Sequence, residues 1–263
     1  MYKSSPQSND YDLILKLQKI NRYIYYFIIL LSVITYVLTK KYFEDHEAAT
    51  NFRNIFYLAS IIGYGTLSII VDYVLLPAAQ RKTRCDFFDN AFGTKYIPNQ
   101  NSEEYYTNDN IENGIYKMAV NLFESSFFTL KISSKMRLKK IVKCALLVAL
   151  LIPLAFFGFK STWLLTISIF QVLLSVYFIG GLIRLLIFVE RTRKYFEELQ
   201  NLFSNTDFKT EILKYEPTVI RIYTDYESNK AWSYINLDSK IYKELNPSLM
   251  KDWDEMKVKY SIV

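Results

Sequence analysis

Apolar residues in this chain gather in long blocks rather than at the short periods of a water-facing helix or strand. The first uninterrupted stretch covers residues 23–39, between Arg22 and the pair Lys40 and Lys41. The second carries no charge from Asn54 to Val71, and beyond Asp72 its apolar pattern continues through Leu76 to Pro77. The third covers residues 141–159, with Lys143 near its start and Pro153 inside, and the fourth covers 161–189 with Arg184 as its only charge. A helix needs about 20 apolar residues to cross the hydrocarbon of a bilayer, and about 17 at the least. The pattern therefore predicts a mainly α protein with four transmembrane helices in two hairpins. Tyr23, Tyr25, Tyr26 and Tyr36 lie toward the ends of the first block and Trp163 at the start of the fourth, as interfacial anchors would. Pro153 removes a helical hydrogen bond and predicts a kink, which membrane helices tolerate. A soluble bundle of buried helices is the alternative, and blocks of this length argue against it. The first block is too long for the apolar core of a signal peptide and has no small-residue cleavage site after it, so it is expected to stay in the mature protein.

Lys and Arg beside the blocks set the orientation. Lys3, Lys16, Lys19 and Arg22 precede the first block. Arg81, Lys82 and Arg84 follow the second, and Lys131, Lys135, Arg137, Lys139 and Lys140 precede the third. Arg191, Arg193 and Lys194 follow the fourth, whereas the connecting loops hold only Lys40, Lys41 and Arg53 in one and Lys160 in the other. Both termini and the middle segment are thus expected in the cytoplasm. The expected organisation is an amino-terminal arm (1–22), a membrane hairpin (23–79), a cytosolic segment (80–140), a second hairpin (141–189) and a cytosolic tail (190–263).

Within the middle segment, Cys85, Phe88 and Phe92 recur at helical spacing and Gly93 follows as a stop. Residues 98–113 are rich in Asn and acidic side chains and read as a loop, with a helix resuming near Ile111 through Ile115, Met118, Ala119, Leu122 and Phe123. The tail opens as a helical extension of the fourth block, with Tyr195, Phe196, Leu199 and Phe203 on one face, ending near Asn205. Residues 219–223 and 231–237 are rich in β-branched and aromatic side chains and flank the turn-forming Glu227, Ser228, Asn229 and Lys230, which predicts a β-hairpin. Asn246 before Pro247 predicts the cap of a final helix whose apolar face is Leu249, Met250, Trp253 and Met256. The cytosolic pieces, each too small for a core of its own, are expected to combine in one small α/β unit.

Composition narrows the chemistry. The chain has 263 residues, 51% of them hydrophobic, and a net charge of +6 with one His and two Cys. The basic residues flank apolar blocks, so attraction to anionic headgroups accounts for them and no direct DNA or RNA binding is expected. Of seven glycines, only Gly93 and Gly114 fall in cytosolic segments, which excludes glycine-rich phosphate loops. No Ser-His or Cys-His pair and no metal-ligand spacing is visible, so no enzyme, metal or cofactor is expected. Asp86 and Asp89 are three apart and could share a helix face and bind a metal or divide acid and base roles, but with no third ligand visible such a pair is more often solvated or capping.

The blocks also carry polar stripes. Ser60, Tyr64, Ser68 and Asp72 recur every four residues in the second, and Ser168, Gln171 and Ser175 form a similar row in the fourth. Such groups avoid lipid, so they serve either as interhelical hydrogen-bonding glue or as a polar pathway assembled from several subunits. Asp72 and Arg184 sit at comparable depth, as a salt bridge or as two side chains that reach the interface independently. In the cytosolic parts Tyr223, Tyr226 and Trp232 lie near Arg221 and Lys230; they could stack on and neutralise a nucleotide, although ordinary core packing explains most such aromatics.

The order of parts, two spans, a cytosolic insert opening on Phe87, Phe88 and Asp89, two more spans and a short tail, resembles the SMODS-associated four-transmembrane effector family of bacterial antiviral signalling. Arg221, Tyr223 and Tyr226, then Ala231, and the stretch holding Leu237, Asp238, Ile241, Tyr242 and Asn246 add to the likeness. The resemblance implies a bacterial inner-membrane effector of CBASS-type defence with a nucleotidyltransferase as functional partner. It would bind that partner's cyclic oligonucleotide through Phe88, Asp89, Arg221, Tyr223, Tyr226, Lys230 and Trp232. Homo-oligomerisation would then permeabilise the membrane and cause abortive infection. A small channel or transporter subunit, or a membrane-anchored interaction scaffold, are the competing expectations.

Overall fold

The computed structural model describes residues 7–42, 47–97, 108, 110–157 and 179–262. The chain there is built of helices. These are α1 (Ser8–Tyr42), α2 (Glu47–Ile69), a π-helical turn (Ile70–Leu75), α3 (Leu76–Phe92), α4 (Ile115–Phe157), α5 (Gly181–Ser204), α6 (Ile212–Ser233) and α7 (Ser239–Lys259). Two compact units divide the chain: residues 10–76 with 141–182, and residues 1–9, 77–140 and 183–263.

In the first of these units, α1 and α2 meet through side chains of both kinds. The Asn21 amide donates to the Ser68 hydroxyl at 2.6 Å, and the rings of Tyr25 and Tyr64 lie 5.6 Å apart, those of Phe27 and Phe56 5.9 Å. The remaining surface of α2 and of the turn after it is apolar and uncovered: Ile55, Leu58, Ile62 and Ile69 of α2 and Tyr73 and Val74 of the turn are all more than half exposed. Burying one such side chain is worth about 1.5–3 kcal/mol, so a row of them left in water would be costly. The helix Asn54–Phe92 is, among the described residues, the one long and apolar enough to cross a membrane. A core helix of a soluble protein meets the same test by being buried, whereas only 6% of this helix's apolar window is buried. The sequence expectation for the first span falls within α1, and that for the third falls within α4 up to Phe157. The fourth, from residue 161 to 178, lies outside the described residues.

The π-helical turn interrupts the polar stripe of this helix. The Leu76 N–H donates to the Val71 carbonyl five residues back, and both side chains are buried. The extra residue rotates the faces on either side by about 100°, so Asp72 does not continue the row of Ser60, Tyr64 and Ser68 in a straight line.

The second unit has one large core, with a smaller buried cluster of Leu185, Phe188 and Val189 on α5. Phe87 and Ala91 of α3, Met118, Leu122, Phe123 and Phe127 of α4, Leu199 and Phe203 of α5, Ile222 and Tyr226 of α6, and Ile241 and Trp253 of α7 are buried together. Phe123 stands at its centre, stacked on Phe203 at 5.0 Å and Phe196 at 5.4 Å, with Trp253 edge-on at 5.5 Å. Aromatic pairs of this kind add about 0.5–1.5 kcal/mol each beyond their buried area.

The unit is helical, not α/β. Residues 219–233 of the predicted hairpin lie in one helix, α6, residues 234–237 follow it as irregular chain, and no strand occurs among the described residues. Tertiary packing decides this: Val219, Ile222, Tyr223, Tyr226, Asn229 and Ser233 are buried along one face at spacings of three and four. That period is helical, and it outweighs the β-favouring composition. Tyr234 ends the helix in the left-handed region, at φ 51°. The last helix also starts earlier than Asn246 and Pro247 predict. Asp238 caps it, its carboxylate accepting from the N–H groups of Lys240 at 2.8 Å and Ile241 at 3.2 Å, and Pro247 lies inside. The helix expected near Ile111 begins at Ile115.

Candidate functional site

The start of the α3–α4 connection occupies Asp89, one of the predicted ligand residues. Gly93 follows α3 at φ +69°, a left-handed conformation that favours glycine, and a Cβ there would also push the Asn113 amide aside. Its N–H donates to the Asp89 carbonyl at 2.9 Å. The Asp89 carboxylate then accepts from the Thr94 hydroxyl and the Tyr96 N–H, both at 2.8 Å, and from the Ile97 N–H at 3.1 Å. Asp89 is thereby spent on folding its own loop. Asp86, three residues earlier, is buried. No group of three metal-ligating side chains occurs among the described residues.

Phe88 and Tyr223 are brought together. The Tyr223 ring lies edge-on to Phe88 at 5.2 Å and is stacked on Phe87 at 4.9 Å. Tyr226, one turn on, donates its hydroxyl to the Ser125 carbonyl at 3.2 Å and shares a 2.8 Å hydrogen bond with the Thr129 hydroxyl. The Lys230 ammonium lies 5.3 Å from the centre of the Tyr226 ring.

Arg221 and Trp232 point elsewhere. Arg221 is exposed and pairs with Glu198 of α5 and with Asp225 at 3.3 Å. Trp232 is exposed as well, with the Arg191 guanidinium 4.9 Å over its ring. The helical period explains the division, because Tyr223, Tyr226 and Lys230 lie within a narrow arc of α6, whereas Arg221 and Trp232 fall on its other side.

A charged cluster that sequence reasoning missed borders Tyr223. The Glu227 carboxylate sits between two cations, its Oε1 at 2.7 Å from Lys230 Nζ and its Oε2 at 4.0 Å from Arg84 Nη1. The Gln80 amide reaches the Lys230 carbonyl at 3.5 Å. The side chain of Glu227 is 12% exposed and that of Lys230 24%, so the group is partly withdrawn from water. The Tyr223 hydroxyl is buried and has no hydrogen-bond partner. Burial pushes its pKa well above the usual phenol value; Glu227 adds to the rise, while Lys230 and Arg84 oppose it. The i, i+3 and i, i+4 spacings of Tyr223, Glu227 and Lys230 were visible in the sequence, but a strand assignment scattered them and Arg84 comes from a distant segment.

A second buried polar group links α3, α4 and the loop between them. The Asn121 amide donates to Asn90 at 2.7 Å, and the Asn108 amide donates to Asn121 at 2.9 Å and Glu124 at 2.8 Å. All four residues are buried. The Asn108 amide oxygen is buried without a partner, and the hydrogen bonds that are made tie the loop to both helices. Sequence reasoning had no signal for them beyond an Asn-rich loop.

In the membrane-type helix, the Ser60 hydroxyl donates to the Phe56 carbonyl of its own helix at 2.8 Å, Ser68 accepts from Asn21, and Tyr64 packs on Tyr25. Asp72 lies in the π-helical turn, and Arg184 is half-buried near the start of α5. Ser168, Gln171 and Ser175 lie outside the described residues. No protein-family model, curated protein or solved structure matches the chain.

Proposed function

We propose that the chain is a multi-pass protein of the bacterial inner membrane, with both termini in the cytosol. In this reading it is an effector of antiphage defence that answers a cyclic oligonucleotide by self-association and membrane permeabilisation. The observation that carries the reading is the helix Asn54–Phe92: its apolar side chains are uncovered over α2, while at its other end Phe87 and Phe88 pack on Tyr223. One helix thus belongs both to a surface suited to lipid and to an aromatic, charge-lined corner suited to a ligand. The chain itself supplies orientation and packing; no covalent chemistry is required of it.

Purified protein in liposomes filled with a self-quenched dye tests the proposal. A panel of cyclic di- and trinucleotides is added, and release with at least one of them, absent with the corresponding linear nucleotides, is the expected result. Liposomes that stay tight under the whole panel, or that leak equally with no nucleotide, would overturn it.

A further inference from the structure

We infer that Arg84, Lys230 and the Tyr223 hydroxyl form a phosphate-binding site, and that the Glu227 carboxylate is the built-in anion occupying it until a phosphate group displaces it. The inference rests on the ligand-responsive reading above and names the part of the corner that would take the ligand's charge. Each oxygen of Glu227 faces one cation, at 2.7 Å for Lys230 and 4.0 Å for Arg84. Two positive charges therefore meet one negative charge in a partly desolvated place, which leaves a surplus of attraction for a more highly charged anion. The longer contact leaves Arg84 well outside hydrogen-bond distance of Glu227, so its donors are poorly used by this carboxylate. The Tyr223 hydroxyl adds a donor that is 93% buried by residue (7% exposed) and meets no acceptor. A carboxylate is planar and has two oxygens; a phosphate group offers more acceptors in a tetrahedral array and could serve all three donors at once.

The competing account is a purely structural ion pair, in which Glu227 is the only anion the cations ever meet. Thermal unfolding of the full-length chain in detergent separates the two, comparing inorganic phosphate with sodium chloride at matched ionic strength. Phosphate is expected to raise the melting temperature. Glu227→Gln, which keeps the shape and removes the resident charge, is expected to tighten the apparent Kd for phosphate by about tenfold, the order of one freed charge-assisted contact. Arg84→Gln and Lys230→Gln are each expected to weaken it by about tenfold or more, with Arg84→Lys retaining most of the response. Lys251→Gln, an equal change of charge on an exposed pair of α7, leaves it unaltered. Each variant is referred to its own melting temperature without phosphate, so a general loss of stability does not imitate the result.

In nanodiscs the same variants identify the source of the phosphate. Phosphatidic acid that abolishes the response to added phosphate assigns the site to a lipid headgroup, and phosphatidic acid without effect assigns it to a soluble ligand; either outcome supports the site. No phosphate-specific shift in the Glu227→Gln chain, or a shift that survives both cation replacements, would overturn it. Dye release plays no part in these measurements, so the site and the permeabilising activity can fail independently.

Discussion

Tyr223 and Tyr226 are a turn apart on α6 and both buried, yet their hydroxyls have opposite energetics. That of Tyr226 is satisfied by Thr129 and the Ser125 carbonyl, whereas that of Tyr223 has lost its water and found no partner. Tyr226→Phe is therefore expected to destabilise the chain by about 1–3 kcal/mol, since it strands buried groups. Tyr223→Phe is expected to be neutral or to stabilise by about 1 kcal/mol, because it deletes an unsatisfied one. Chemical denaturation in detergent measures both. The pH dependence follows from the raised Tyr223 pKa. In the unfolded chain the phenol ionises near 10.0, while in the folded chain it keeps its proton to higher pH. The folded state binds more protons above 10.0, so stability falls as pH rises from there toward the folded pKa. Tyr223→Phe should remove that share of the alkaline loss, and an unchanged alkaline slope would contradict the assignment. If the phosphate site is correct, the same substitution weakens the response to phosphate while leaving the chain at least as stable. That combination separates a ligand donor from a structural one.

At the level of elements, α6 shows what sequence could and could not settle. Local composition favoured strands at 219–223 and 231–237, and Glu227, Ser228 and Asn229 looked like a turn. The helix is decided by what its face packs against, namely Phe87 and Phe88 of α3 and Thr129 of α4, partners that no local window contains. Where a signal is local it was legible: Gly93 follows the last residue of α3, and α5 ends at Ser204, one residue before the expected boundary. Where it depends on distant segments it was not, as with the Arg84–Glu227 contact and the buried Asn90, Asn108 and Asn121 set. The cap at Asp238 was overlooked because Asn246 and Pro247 offered a stronger local motif eight residues later. Ser228→Pro distinguishes the two structures of α6 directly. In an exposed helix interior it costs about 3 kcal/mol or more, through a lost hydrogen bond and a clash with the preceding turn. In a hairpin turn it would be tolerated. A loss of helical circular dichroism together with a lower melting temperature is expected, and an unperturbed chain would reinstate the hairpin.

At the level of the whole molecule, one helix is long and apolar enough to cross a membrane and its α2 side is uncovered, and the proposal of four crossings is drawn from the blocks and their flanking charges. Parity makes it testable. A single crossing by the helix Asn54–Phe92 would put the two ends of the chain on opposite sides, whereas four crossings put them on the same side. Cysteines introduced one at a time into a Cys85→Ser, Cys144→Ser background, at exposed Asp12 and Lys251 and in the two expected outer loops at His46 and Lys160, read this out with a membrane-impermeant maleimide. The last two positions lie outside the described residues, so their placement rests on the charge distribution alone. With four spans, Asp12→Cys and Lys251→Cys label only after the inner membrane is breached, while His46→Cys and Lys160→Cys label in spheroplasts that are still sealed. A single span leaves either Asp12→Cys or Lys251→Cys labelled in sealed spheroplasts. One hairpin instead of two leaves either His46→Cys or Lys160→Cys protected. The direction of insertion is fixed by the same experiment, because charge attraction to the cytosolic face predicts that the Lys- and Arg-rich flanks stay inside. Labelling of Asp12→Cys and Lys251→Cys in sealed spheroplasts, with both loops protected, would keep four spans and invert the protein.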